Sequence, residues 1–160
     1  MGQPQATFIN VVQNLCEAGI DVVKASSLYL TKAWGYSDSD YTNAILLCST
    51  SLPPAELLHV LQHIEKSIGR VPSVSAGYEG RIIDLDIIDY DLTLMHTPTL
   101  TLPHAQMANR GFVLFPLLEV YPAYMHPGLG TSIEALIASL PPAERVYHIV
   151  APPSWCPLYP

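Results

Sequence analysis

The order of apolar patterns along the chain predicts an α+β fold, with one sheet and helices packed against it. Segments with helical periodicity alternate with short apolar, β-branched runs, and those runs come in neighbouring pairs. No internal repeat or linker divides the 160 residues, so we expect one unit that is long enough to bury a core. Single helices that alternate with paired strands are typical of the α+β class.

Two helices are predicted in the first half of the chain. From Phe8 onwards, apolar side chains recur at i, i+3, i+4 and i+7, which predicts an amphipathic helix over 5–18 that Gly19 ends. The second helix is predicted over 51–68, because two prolines stand in its first turn and Gly69 follows it.

Strands are predicted around the second helix. Residues 20–30 and 41–49 are rich in apolar and β-branched side chains, and the run within 41–49 indicates burial on both faces. Later pieces are weaker and shorter. They are strands within 92–102, helices at 105–109, 112–120 and 131–140, and a strand-like piece at 145–151 among many prolines.

Residues 81–88 read as a strand by composition, and this strand carries two carboxylates. Since side chains alternate between the faces of a strand, Asp84 and Asp86 share one face, opposite Ile83, Leu85 and Ile87. Two carboxylates roughly 6–7 Å apart beside a core are costly unless a positive group lies near them. Mg²⁺ prefers carboxylate oxygens together with substrate phosphates. The pattern therefore favours a phosphoryl-transfer site, and a solvated strand face is the plain alternative.

Composition excludes several classes of protein. The net charge of −7 argues against a nucleic-acid surface, and no apolar run is long enough for a membrane span. Three scattered cysteines, Cys16, Cys48 and Cys156, form no CxxC pair, so we expect a reduced, cytoplasmic protein without structural zinc. Of only four arginines, three lie in short motifs and Arg145 lies outside them. Arginine suits bidentate phosphate contacts.

Two motifs are the most specific in the chain. The first is R-x-x-D-L-D-I at 81–87, and the second is P-H-x-x-M-x-x-R-G-F at 103–112. Together with segments 26–31, 40–44, 62–70 and 114–119, in this order, they resemble the 6-hydroxymethyl-7,8-dihydropterin pyrophosphokinases of the folate pathway. We therefore expect a ferredoxin-like α+β sandwich, with a mainly antiparallel sheet and helices packed on it.

The resemblance implies a reaction and a set of site residues. Such enzymes transfer pyrophosphate from ATP to the pterin hydroxymethyl group and release AMP. Asp84 and Asp86 would hold two Mg²⁺ ions, Arg81 would act beside them in catalysis, and Glu65 would anchor the end of its helix. The implied ATP contacts are Gln62, Arg70, Arg81, His104 and Arg110. The implied pterin contacts are Thr31, Tyr41, Asn43, Tyr78 and Phe112.

The sequence also departs from the family pattern. The usual first strand with its Gly-Ser-Asn loop is absent before the first helix, so 145–151, upstream residues or a partner chain would have to fill that slot. The loop at 71–79 lacks the usual arginines, which is expected to weaken closure over ATP and turnover. The alternative to an enzyme is therefore a non-catalytic homologue that binds pterin or nucleotide, completed by a partner chain.

These expectations divide the chain into two parts. Residues 1–140 form the pyrophosphokinase-like domain, and 141–160 form a proline-rich extension with a short strand. We expect the tail at Trp155 and Cys156 to be loosely packed and assign it no function. The expected partners are ATP and the pterin, with no nucleic acid and no membrane, in a monomer or a partner-completed dimer.

Overall fold

The helices and strands follow the predicted order closely. The computed structural model describes residues 4–31, 40–69 and 82–158. Its helices are α1 (Pro4–Glu17), α2 (Pro54–Gly69), α3 (Gly111–Val120) and α4 (Ile133–Ser139). Its strands are β1 (Asp21–Ala25), β2 (Leu28–Thr31), β3 (Tyr41–Asn43), β4 (Leu46–Ser49), β5 (Met95–His96), β6 (Thr101–Leu102), β7 (Met125–His126), β8 (Thr131–Ser132) and β9 (His148–Ala151). Three short 3₁₀ turns, Met107–Asn109, Pro142–Arg145 and Pro153–Trp155, join them.

Every strand pairing in the described residues is antiparallel. β1 pairs with β4, and β2 lies between β3 and β9. The predicted strand over 20–30 is interrupted at Ser26 and Ser27, where the Ser26 hydroxyl accepts a hydrogen bond from the N–H of Ile45 at 2.9 Å. The interruption separates β1 from β2, so the two strands pair with different neighbours.

Two layers of helices enclose the extended segments. On one side, α1 and α2 pack over Ile20, Leu46 and Ile87, and on the other side α3 and α4 pack over Ile45, Leu47 and Ile88. Neighbouring residues of one extended segment thus enter opposite clusters, as the two-residue side-chain period of a strand requires. The α+β prediction is confirmed.

The strand predicted over 81–88 does not form a ladder. In the described chain, residues 83–89 have no strand partner, so this prediction is wrong as a hydrogen-bonded element. The alternation is right: Ile83, Leu85 and Ile87 pack into the α1–α2 cluster, whereas Asp84 and Asp86 are exposed. Burial of the apolar side chains therefore determines which side chains of this segment face the core. Its backbone forms hydrogen bonds with groups that are not part of a strand.

The expectation of a loosely packed tail at Trp155 and Cys156 is wrong. Trp155 is 4% exposed and Cys156 is 3% exposed, and both join a cluster with Val12, Ala25 and Leu28. The indole N–H of Trp155 donates to the carbonyl oxygen of Ser26 at 2.7 Å. The segment predicted as a strand at 145–151 forms β9, which pairs with β2 and not with β4 or with 83–89. In the ranges that the structure describes, no helix combines the length and the apolarity that crossing a membrane requires.

Candidate functional site

Hydrogen bonds to neighbouring elements hold the segment with the two aspartates. The carboxylate of Glu65 on α2 accepts a hydrogen bond from the N–H of Leu85 at 2.5 Å. Further along, the carbonyl oxygen of Ile88 accepts a hydrogen bond from the N–H of His104 at 2.7 Å. The segment is thus fixed to α2 and to the loop after β6, and Glu65 anchors the backbone between the two carboxylates.

Asp86 and His104 line one cavity of about 220 Å³. Its other walls, which are mainly apolar, come from α2, from the extended segment and from the β5–β6 hairpin. These lining residues include Leu58, Leu85, Ile87, Leu100 and Thr101. A carboxylate and an imidazole that meet in a small open cavity can together bind a polar, charged ligand.

The hydrogen bonding of His104 defines which ring nitrogen can donate. Its Nδ1 accepts a hydrogen bond from the N–H of Gln106 at 3.2 Å. In a neutral ring with Nδ1 as acceptor, the proton is on Nε2. His104 can therefore offer an N–H donor to a ligand oxygen.

Gln62 is the predicted ATP contact on α2. Leu58 lines the cavity and Glu65 bonds to Leu85, and Gln62 lies between them at helical spacing of i, i+4 and i+7. The Gln62 side chain is exposed. Helix geometry thus places Gln62 on the same face of α2 as Leu58 and Glu65.

The start of α3 brings Arg110 and Phe112 together. The guanidinium carbon of Arg110 lies 5.6 Å from the centroid of the Phe112 ring, within the range of a cation–π contact. Both residues are half-buried, and Phe112 packs against the α3–α4 cluster. An aromatic face and a fixed cation are therefore adjacent at this helix end.

Three predicted pterin contacts lie together on β2 and β3. Thr31 is opposite Tyr41, and Asn43 is opposite Tyr29 in the ladder. The side-chain amide of Asn43 donates to the Thr31 hydroxyl at 3.3 Å, and Tyr41 is exposed. The strand pair thus presents an amide and a hydroxyl side by side, as recognition of a polar heterocycle edge needs.

Glu119 connects this strand pair to α3, a role that the sequence prediction did not assign. Its carboxylate accepts hydrogen bonds from the N–H of Ser27 at 2.8 Å and from the Tyr29 hydroxyl. Burial and the nearby Glu119 carboxylate together raise the pKa of the Tyr29 phenol well above its usual value. A single acid within the apolar run of α3 was the signal that could have revealed this link.

Several predicted site residues cannot be placed. Arg70, Tyr78 and Arg81 lie outside the described residues. Among the residues that are described, no group of three or more His, Cys, Asp or Glu side chains is arranged to hold a metal ion. Asp84 and Asp86 offer two exposed carboxylates on one side of their segment. Such a set suits Mg²⁺, which keeps several waters and takes only one or two carboxylates from a protein.

Comparison with known proteins decides the family. The family model of 7,8-dihydro-6-hydroxymethylpterin-pyrophosphokinase matches residues 1–122. The chain belongs to this family. The match includes both motifs, at 81–87 and 103–112, and it ends just after α3. The resemblance seen in the sequence is therefore confirmed, and α4 and the C-terminal segment lie beyond the matched region.

Relatives in this family carry consistent names. A 2-amino-4-hydroxy-6-hydroxymethyldihydropteridine pyrophosphokinase of Synechocystis sp. is 41% identical over 120 residues, which is 75% of this chain and 60% of that protein. One of Methylorubrum extorquens is 35% identical over 150 residues, 91% of this chain and 92% of that protein. Folic acid synthesis protein fol1 of Pneumocystis carinii is 38% identical over 127 residues, 79% of this chain. The chain spans only 17% of the length of that last protein.

Proposed function

We propose that this chain transfers pyrophosphate from ATP to 6-hydroxymethyl-7,8-dihydropterin, giving AMP and the pterin diphosphate in folate biosynthesis. The observation that carries the proposal is the cavity shared by Asp86 and His104, which joins the two family motifs in space. Family membership supplies the substrate class, and the relatives' names agree with it.

The proposed reaction is a displacement at phosphorus. The hydroxymethyl oxygen of the pterin forms a bond to the β-phosphorus of ATP, and the bond from that phosphorus to the α,β-bridging oxygen breaks. AMP leaves with the bridging oxygen, and the hydroxyl proton is released. Little covalent work falls to the protein in such a transfer, so catalysis rests on positioning and on electrostatic stabilisation.

Asp84 and Asp86 are proposed to hold two Mg²⁺ ions. The exposed face of their segment and the anchor at Glu65 support this role, because a metal-binding carboxylate needs a fixed backbone and access for substrate. Bound magnesium would neutralise charge on the triphosphate during transfer. Without substrate phosphates and water, two carboxylates do not complete an octahedral shell.

The remaining predicted residues are proposed to bind the two substrates. His104 donates from Nε2 to a phosphate oxygen, and Gln62 offers its amide from the adjacent face of α2. Arg110 contributes a fixed positive charge beside the phosphates, where the predicted Arg70 and Arg81 would add theirs. Each of these contacts acts on ATP, so their loss should change ATP affinity first.

The pterin is proposed to lie with one face on Phe112. A flat heterocycle gains from an aromatic face and from a few placed hydrogen-bond partners. Thr31 and Asn43 supply those partners from β2 and β3, and Tyr41 borders them. Tyr78 is the predicted aromatic residue for the opposite face.

An assay of AMP formation tests the proposal. The purified chain is mixed with ATP, Mg²⁺ and the pterin alcohol, and AMP and pterin diphosphate are separated by chromatography. We expect AMP and pterin diphosphate to form in equal amounts, and AMP formation to stop when the pterin is omitted. Absence of pterin-dependent AMP would contradict the proposal. In that case, pterin or nucleotide binding measured by calorimetry would identify a non-catalytic binder.

A further inference from the structure

The segment that follows α4 returns to the start of α3. There the carboxylate of Glu144 accepts a hydrogen bond from the N–H of Gly111 at 3.1 Å. Gly111 is the first residue of α3, so its N–H has no partner within the helix. The residue before it, Arg110, provides no side-chain cap. Glu144 therefore supplies, from a distant part of the chain, an acceptor that the helix start lacks.

Gly111 allows the backbone of Glu144 to approach closely. A Cβ atom at position 111 would lie 1.6 Å from the carbonyl oxygen of Glu144 and 2.8 Å from its carbonyl carbon. Both distances are far shorter than a real contact, and both partners are backbone atoms that cannot rotate away. Among the glycines that the structure describes, Gly19 and Gly130 have positive φ and Gly111 does not. The glycine of this motif is thus required by the C-terminal segment and not by its own backbone angles.

Contacts of two residues that follow Glu144 hold this part of the chain in place. The guanidinium of Arg145 donates to the carbonyl oxygens of Leu140 and Ala138, at 3.0 and 2.6 Å, near the C-terminal end of α4. The ring of Tyr147 lies 4.6 Å from that of Phe115 and 5.0 Å from that of Tyr29, between centroids. These contacts hold the backbone next to Glu144, so the Glu144 carboxylate lies close to the start of α3.

We infer that Glu144 is a positioning residue for Arg110 and Phe112, which flank Gly111 at the start of α3. Its carboxylate holds the first N–H of the helix, and a negative charge there is favourable to the helix dipole. This fixes the helix start at the point where the Arg110 guanidinium lies over the Phe112 ring. The inference rests on the proposed function, because it takes these two side chains to be contacts of ATP and pterin. It assigns the region beyond the family match a part in substrate binding.

Three variants in the full chain test this inference. Glu144→Ala removes the acceptor, Glu144→Gln keeps an oxygen that can accept the Gly111 hydrogen bond, and Glu134→Ala is a control at an exposed position of α4. We expect Glu144→Ala to raise the KM for ATP and for pterin about threefold to tenfold, with a smaller change in kcat. Glu144→Gln should restore KM to within about twofold of the unaltered protein. The control should change neither parameter.

A second measurement keeps the inference testable without turnover. Hydrogen exchange of the Gly111 amide, followed by NMR, should be faster in Glu144→Ala and close to normal in Glu144→Gln. A lower thermal midpoint with unchanged KM values would show a merely structural role and overturn the inference, as would unchanged exchange at Gly111. If the unaltered protein forms no AMP, the proposed function fails. In that case, equal ATP and pterin affinities of the unaltered protein and Glu144→Ala in calorimetry would overturn the inference as well.

Discussion

The Glu65 carboxylate accepts its hydrogen bond from the N–H of Leu85, the residue between Asp84 and Asp86. The segment has no ladder among the described residues, so this bond takes the place that a neighbouring strand would normally have. Helix α2 thereby holds the backbone between the two aspartates in place. A residue that touches no proposed ligand is thus expected to influence the binding of magnesium and ATP.

Replacement of Glu65 by Ala should weaken Mg²⁺-dependent ATP binding about tenfold, because groups that orient metal-binding carboxylates typically contribute this much. Glu65→Gln should lower the ATP affinity less, since its amide oxygen can still accept the Leu85 hydrogen bond. Calorimetric titration of ATP at several Mg²⁺ concentrations measures the effect. Glu56→Gln, at an exposed position of the same helix, serves as the control. Equal affinities in Glu65→Ala and the control would contradict the prediction.

Asp84→Asn and Asp86→Asn should each abolish most Mg²⁺-dependent ATP binding and leave the fold intact. Both side chains are exposed, so removing the charge costs little packing. Isothermal calorimetry gives the binding, and circular dichroism with a thermal melt gives the fold. Asp21→Asn, at the exposed start of β1, is the matched control. Full Mg²⁺-dependent activity in both site variants would place the metal elsewhere.

His104→Ala should raise the KM for ATP by about tenfold, the loss expected for a hydrogen bond to a charged phosphate. The reason is the Nε2–H donor that the Gln106 contact leaves available beside Asp86. Steady-state kinetics with varied ATP measures the change. His59→Ala, at an exposed position on α2, should behave like the unaltered protein. A normal KM for ATP in His104→Ala would remove His104 from the nucleotide site.

Stability should fall at alkaline pH because of Tyr29. Its phenol is buried and donates to Glu119, and both effects raise its pKa. The unfolded chain releases the phenol proton near pH 10, whereas the folded protein retains it. The contribution of Tyr29 to the free energy of unfolding is therefore fully present below about pH 10 and is lost as the pH rises further. Urea unfolding between pH 8 and 11 should show this decline.

Tyr29→Phe should be less stable by about 1–3 kcal/mol at neutral pH, because the hydrogen bond to a charged carboxylate is lost. The same variant should show a smaller decline above pH 10, since it has no buried phenol at this position to titrate. Tyr121→Phe, at an exposed position, is the control for the general effect of removing a hydroxyl. An identical pH profile in Tyr29→Phe and the unaltered protein would contradict the assignment.

Trp155→Ala should destabilise the fold by about 3–5 kcal/mol, the usual range for truncating a buried aromatic side chain. Trp155 packs edge-to-face on Phe8 at 5.7 Å between ring centroids and donates to Ser26. Trp155→Phe keeps an aromatic ring and removes the indole hydrogen bond. Its free energy of unfolding should therefore fall by less than that of Trp155→Ala. Chemical denaturation measures both. A loss below about 1 kcal/mol in Trp155→Ala would mean that the C-terminal segment packs loosely in solution.

Local patterns in the sequence predicted the helices well. The apolar face of α1, with Val11, Val12 and Leu15 buried, follows directly from helical spacing. The alternation around Asp84 and Asp86 was also readable, because burial of every second side chain needs no knowledge of partners. The two family motifs then predicted site residues, and two of these, Asp86 and His104, line the same cavity.

What could not be predicted depends on partners far away in the chain. Composition at 81–88 indicates an extended segment, but a ladder requires a second strand beside it. The prolines of the last segment suggested a loose tail, yet the burial of Trp155 depends on Ser26 and Phe8. The role of Glu144 depends on how closely Gly111 lets another backbone approach. None of these contacts leaves a periodic signal in the sequence.

The bond from Trp155 to Ser26 spans 129 positions, and this separation constrains how the molecule is made. On the ribosome, α1, β1 and β2 are synthesised long before Trp155 and Cys156, which complete the apolar cluster with Val12, Ala25 and Leu28. Until residue 155 has emerged, Val12 and Leu28 lack their final cover. The nascent chain therefore exposes an apolar surface through most of its synthesis. We expect chaperones to bind at this surface.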